Sequence, residues 1–89
     1  MAKETHYILG VHITDRLQEA VEVQKLLTTY GGQIKTRLGL HEISTDAANL
    51  NGLLLLEMVD PASGVEELAA RLNGIVGVEV KQMTFEHPV

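Results

Sequence analysis

The segment NGLLLLEMVD, Asn51 to Asp60, decides how the rest of the chain reads. A strand with one face in water alternates apolar and polar residues. Here Leu53 to Leu56 are consecutive leucines, so both faces of this strand are apolar. The spacing predicts a strand over Gly52 to Val59, stopped by Asp60-Pro61 because proline cannot donate to a ladder. Leu54, Leu56 and Met58 point to one side. Leu53, Leu55 and Val59 point to the other, with Glu57 among them. The opposite assignment would bury the Glu57 carboxylate without a partner, which is costly. The first set therefore belongs to the interior.

The flanking segments supply the layers. Tyr7 to Ile13 reads as a strand, with Tyr7, Leu9, Val11 and Ile13 on one face and His6, Ile8, Gly10 and His12 on the other. Asp15 and Gln18 have the spacing of a capping box. A helix follows to about Tyr30, with Ala20, Val23, Leu26, Leu27 and Tyr30 as its stripe. Gly31-Gly32 is expected to end it in the left-handed conformation. Gln33 to Glu42 is a second strand, with Ile34, Thr36, Leu38 and Leu40 on one face. The connection from Ile43 to Asn51 is rich in turn-forming residues. Beyond Pro61, Ser63 and Glu66 suggest a second capping box, and Val65, Leu68, Ala69, Leu72 and Ile75 form an amphipathic stripe. Gly77 precedes a last strand, Val78 to Phe85, and His87-Pro88-Val89 reads as a frayed tail.

The predicted order is strand, helix, strand, strand, helix, strand. Asp15 and Gly32 bracket the first helix at the same separation as Asp60 and Gly77 bracket the second, with Leu27 and Leu72 at equivalent places. A split βαβ pair of this kind is a single α+β domain with the ferredoxin-like fold. Its antiparallel sheet has strand order 4-1-3-2, with both helices on one face. The leucine-rich strand is then central, and Leu53, Leu55, Ile8 and Gly10 lie on the helix-free face. A bare apolar patch of this kind marks an interaction surface. The expectation is a homo-oligomer, dimer or tetramer, joined through the sheet. A folded-back connection over Ile43 to Leu50 is the other candidate cover, but that segment is short and polar.

Composition narrows the function. The chain has 89 residues, and a domain of this size buries little enough surface to gain from a partner. Seven basic against twelve acidic residues give a net charge of −5, without the basic footprint that nucleic acid requires. There is no cysteine, hence no disulfide or thiolate chemistry. The N-terminal MAKETHYILG lacks the apolar core of a signal peptide, and no apolar run is long enough to cross a bilayer. A cytoplasmic location without membrane or direct nucleic-acid contact is expected.

The runs YILGVHITDRLQEAVEVQKLLTTYGGQIKTRLGL, GLLLLEMV and GVEVKQMTF together resemble a small ACT-like family described as regulators of the iron-only hydrogenase system. Asp15-Arg16, Leu26-Leu27 and Arg37-Leu38-Gly39 carry the resemblance most clearly. It implies a ferredoxin-like fold related to ACT domains and to the sensor domain of the nickel-responsive repressor, and it implies oligomers. Two departures matter. No glycine follows Asp15-Arg16, as it does in ACT domains that bind amino acids. The third strand carries no histidine or cysteine, as it does in the nickel sensor, and no ribbon-helix-helix segment precedes the domain.

Candidate sites are few. Arg37 could anchor a carboxylate or pair with Glu57, Gly39 could let a ligand approach the strand or mark a bulge, and His41 could join a pocket between subunits. His6 and His12 share a face but lie on the order of 20 Å apart. His6 and His87 could approach at matching ends of adjacent strands, yet a two-histidine pair falls short of the three or four ligands a metal needs. No metal or cofactor is therefore expected. No nucleophile elbow, phosphate loop or zincin motif occurs, and catalysis is not expected. The reading is a non-catalytic regulatory or interaction module that assembles through its sheet and holds a small effector between subunits. A histidine-based metal sensor and a small oligomeric enzyme are the alternatives.

Overall fold

The computed structural model of the chain describes residues 3–14, 16–40 and 52–89, with backbone alone for 16–20 and 40. The predicted cap at Asp15, His41 and the connection over 43–51 lie outside the described residues. The elements are β1 (Lys3–Ile13), α1 (Arg16–Thr29), a 3-10 turn (Gly31–Gln33), β2 (Ile34–Leu40), β3 (Gly52–Met58), α2 (Ala62–Asn73) and β4 (Val78–Pro88). The sheet order is β2-β3-β1-β4, all antiparallel, which is the expected ferredoxin-like α+β arrangement.

The face assignment on the central strands holds. Tyr7, Leu9, Val11 and Ile13 from β1 and Leu54, Leu56 and Met58 from β3 are buried against Val23 and Leu27 of α1 and Val65, Leu68 and Leu72 of α2. Leu26, Tyr30, Ala69 and Ile75 pack around them, half-buried. The core contains no buried polar side chain among the described residues. The two helices are further tied by the Tyr30 hydroxyl, which donates to Glu67. Arg71 bonds the same carboxylate at 2.9 Å and lies 5.8 Å above the Tyr30 ring.

Four local expectations are corrected. The helix α1 does not end in a left-handed glycine. Gly31 and Gly32 enter the 3-10 turn instead, and the positive φ belongs to Gly77, at 84°. Ser63 is not a cap, because α2 begins one residue earlier with Pro61 at the N-cap position and no side-chain cap. This start is held from outside the helix. The Gln33 side-chain amide donates to the carbonyls of Val59 and Pro61 at 2.8 and 2.9 Å. The third correction concerns β2. Ile34 pairs with Met58, but Thr36 pairs with Glu57, so Lys35 is an extra residue in a bulge. A bulge flips every later side chain to the other face. Ile34 therefore joins the core, whereas Thr36 and Leu38 fall on the helix-free face, and the backbone of Leu40 pairs with Leu53.

The fourth correction is at the chain ends. The segment His87-Pro88 is not frayed. It continues β4 and pairs with β1 through Glu4↔His87 and Lys3↔Pro88. Pairing of β1 with β3 ends at Tyr7↔Met58, so residues 3–6 and 85–88 project past the sheet as a two-stranded ribbon.

Candidate functional site

The helix-free face of the sheet is built from alternate residues of all four strands. The register places Leu38 opposite Leu55, Leu55 opposite Gly10, and Gly10 opposite Lys81 in one row. Ile8 lies between Glu57 and Met83 in the next row, and His6 is beside Phe85. Of the residues expected to form the interface, Ile8, Gly10, Leu53 and Leu55 all lie here. Leu38, Met83 and Phe85 extend the band to both edges and are exposed. The sequence reading missed them. The bulge at Lys35 hid the facing of Leu38. For Met83 and Phe85, the alternation along VKQMTF was the available signal.

Gly10 leaves open space at the centre of this face. A Cβ there would stand 3.9 Å from Leu55 Cδ2 and from the Lys81 carbonyl oxygen, an ordinary contact. Among the described residues, Gly39 has no neighbour within 4 Å of such a Cβ. Arg37 pairs in register with Leu56 and is thus on the opposite face from Glu57. The ion pair suggested for those two residues does not form. Arg37 and Gly39 remain neighbours on the exposed helix-side rim of the edge strand β2.

Glu57 instead gathers the polar groups at one end of the band. Its Oε2 lies 3.3 Å from His6 Nδ1 and 3.9 Å from Lys35 Nζ, and Thr36 Oγ1 donates to Oε1 at 3.3 Å. The His6 hydrogen bond holds the Glu57 carboxyl below its ordinary value, with Lys35 and Thr36 adding to the effect and partial burial opposing it. On the core side of the same end, the Tyr7 hydroxyl donates to Asp60 Oδ1 at 2.7 Å. That hydrogen bond to a carboxylate raises the phenol above its usual range.

His6 makes further contacts. Its Nε2 lies 3.0 Å from His87 Nε2, and Glu4 reaches both histidines, at 3.8 Å to His6 and 3.5 Å to His87. The two imidazoles are nearly parallel, 14° apart, with centroids 5.1 Å from each other. The approach of His6 and His87 was legible in the strand order. The third ligand was not, because Glu4 preceded the expected start of β1. Among the described residues, the depression along α1 is lined by Val21, Gln24, Lys25, Thr28 and Thr29, which converge no such groups.

No protein-family model matches the chain, and no curated protein matches it in sequence. The chain shares its fold with the uncharacterized protein TM1266 of Thermotoga maritima. That structure matches with a TM-score of 0.79 at 24% identity, over 94% of this chain and 99% of the other. The nitrogen regulatory PII-like protein CPII of Thiomonas intermedia K12, described as bound to ADP, AMP and bicarbonate, matches with a TM-score of 0.66 at 11% identity, over 99% and 96% of the two chains. A formyltetrahydrofolate deformylase of Pseudomonas putida KT2440 matches at 0.53 and 17% identity, over 88% of this chain but 28% of that enzyme. These likenesses establish a ferredoxin-like fold that serves both as a regulatory protein and as a portion of an enzyme, so function has to be argued from this chain's own surfaces. Among the described residues, no helix is long and apolar enough to cross a membrane.

Proposed function

We propose that the chain is a non-catalytic regulatory module that pairs with a second copy of itself through the helix-free face of its sheet. The observation that carries this reading is the apolar band Leu38, Leu55, Leu53, Ile8, Met83 and Phe85, which crosses all four strands. Strand spacing and rise give this face an area on the order of 600 Å². Two such faces bury about 1,200 Å², the lower end of stable interfaces. A second copy suits the charges as well as the area. The face carries both signs, Glu57 and Glu79 along with Lys35 and Lys81, so a twofold pairing can set opposite charges against each other. The aliphatic core between sheet and helices supports a non-catalytic role, since it offers no polar cleft there.

In this reading the effector binds at the subunit rim and shifts association by binding one state better than the other. Arg37 beside Gly39 on the exposed β2 edge supplies a cation for an anionic ligand. The likeness to CPII makes adenine nucleotides the first class to test. The resemblance to regulators of the iron-only hydrogenase system supports the regulatory reading and suggests the process served. Sedimentation equilibrium of the purified chain, with and without ADP or AMP, tests both parts. A concentration-dependent dimer is expected, and nucleotide held between subunits should strengthen its association. A monomer at every accessible concentration would overturn the proposal.

A further inference from the structure

We infer that Glu4, His6 and His87 form a binding site for a late first-row divalent cation, with Zn²⁺ as the representative. The inference is independent of whether the sheet face dimerises. It starts from the antiparallel register. Glu4 and His6 are two residues apart on β1 and so share a face. His87 is directly opposite Glu4 on β4. One ligand atom from each of the three falls within 4.8 Å of the others.

The hydrogen-bond inventory then shows what the imidazoles lack. His6 Nδ1 faces the Glu57 carboxylate, which can only accept, so this nitrogen carries a proton. His87 Nδ1 donates to the Pro88 carbonyl at 3.1 Å. In the neutral rings both Nε2 atoms are therefore lone pairs, and they face each other at 3.0 Å beside the Glu4 carboxylate. Two lone pairs and an anion in contact call for a positive charge between them, which a proton or a metal ion supplies. Orientation of a ligating histidine by a carboxylate or a backbone carbonyl on its other nitrogen is the arrangement metal sites use. For zinc at 2.0–2.1 Å from its ligands, tetrahedral geometry separates ligand atoms by about 3.4 Å. The two Nε2 atoms are 3.0 Å apart, Glu4 reaches His87 through Oε2 at 3.5 Å and His6 through Oε1 at 3.8 Å, and one oxygen with both nitrogens falls within 4.8 Å, so the set has to contract modestly around an ion. The rings face each other nearly head-on, so holding an ion requires both to turn until their Nε2 lone pairs converge on it, a movement the projecting ribbon has room for. Two imidazoles and one carboxylate favour Zn²⁺, Ni²⁺ or Cu²⁺ over Mg²⁺ or Ca²⁺, which prefer all-oxygen sets. The three side chains are partly exposed, leaving the fourth position to water or a second ligand. Through Glu57, a bound ion would also fix the ribbon to the end of the apolar band.

Calorimetric titration of the full chain with Zn²⁺ near neutral pH tests the site, together with ¹⁵N spectra of the histidine rings. One ion per chain in the micromolar range is expected, with Nε2 of His6 and His87 shifting and Nδ1 retaining its proton. His6→Ala and His87→Ala should each abolish saturable binding. Glu57→Gln, which touches no ion, should weaken it by roughly 10- to 100-fold through loss of ring orientation. None of these residues belongs to the core, and circular dichroism of the metal-free variants verifies the fold. Three outcomes would overturn the inference: no binding above that of the His6→Ala/His87→Ala double variant, stoichiometric binding that survives in that variant, or an adjacent-ring proton that Zn²⁺ fails to displace.

Discussion

The neighbouring residues Leu55 and Leu56 offer the sharpest test, because one faces the proposed partner and the other the core. Leu53, Leu38, Met83 and Phe85 are 39%, 52%, 55% and 55% exposed, which leaves about two whole apolar side chains per subunit in water. Burying a side chain of this size contributes about 1.5–3 kcal/mol. A dimer would gain about 6–12 kcal/mol from these residues, against about 4–15 kcal/mol of lost freedom on association. The two ranges overlap, so neither dominates and one charge on this face can decide the outcome. Replacing Leu55 with glutamate sets a new carboxylate two residues from Glu57 in each subunit. Desolvating each would cost several kcal/mol, weakening association by about a thousandfold or more. The isolated fold should lose only about 1 kcal/mol, since the half-buried Leu55 side chain faces outward and the new carboxylate stays hydrated. Leu56→Ala should do the reverse. Leu56 is fully buried, and its truncation should cost about 2.7–5 kcal/mol of stability while leaving the outer face intact. Sedimentation equilibrium and urea unfolding on both variants separate the effects. A Leu55→Glu protein that unfolds as readily as Leu56→Ala, or that associates like the wild type, would refute the reasoning.

Other measurements probe single contacts. Gly64→Ala should be neutral to destabilising by about 1–2 kcal/mol despite alanine's helix preference. Its Cβ would run into Gln33 Oε1 and displace a side chain held by two hydrogen bonds. In a Gln33→Ala background the same change should become stabilising, and a double-mutant cycle of urea midpoints measures the switch. Gly77→Ala should cost about 1–2 kcal/mol, because its φ of 84° disfavours any Cβ; thermal unfolding detects this. Glu57 titrates below its ordinary 4.5 in the folded chain. A lowered folded value stabilises the fold above the unfolded pKa, and that contribution is lost as pH falls through the folded value. Stability should therefore decline more steeply on acidification in the wild type than in Glu57→Gln, with chemical unfolding across the acid range as the measurement.

Periodicity alone determined much of this protein. The run Leu53 to Leu56 required a strand apolar on both faces, and the single charge at Glu57 chose which face is the core. The stripe Val65, Leu68 and Leu72 placed the second helix, and the element order then implied the sheet. These features depend on residues close in sequence, so a local pattern reveals them. Other features rested on tertiary contacts. The bulge at Lys35 shifts Leu38 to the outer face, yet an uninterrupted alternation from Ile34 onward looks identical without the partner strand. The cap expected at Ser63 gave way to Gln33, thirty residues earlier, because its amide reaches the same turn from the sheet edge. Pro88 ends a strand, rather than following one, because β1 extends to Lys3 and supplies its partner. The same extension unites Glu4, His6, Glu57 and His87, whose separations in the chain conceal any motif. A cluster assembled across β1 and β4 has no linear spacing to read, since register rather than sequence distance brings its atoms together.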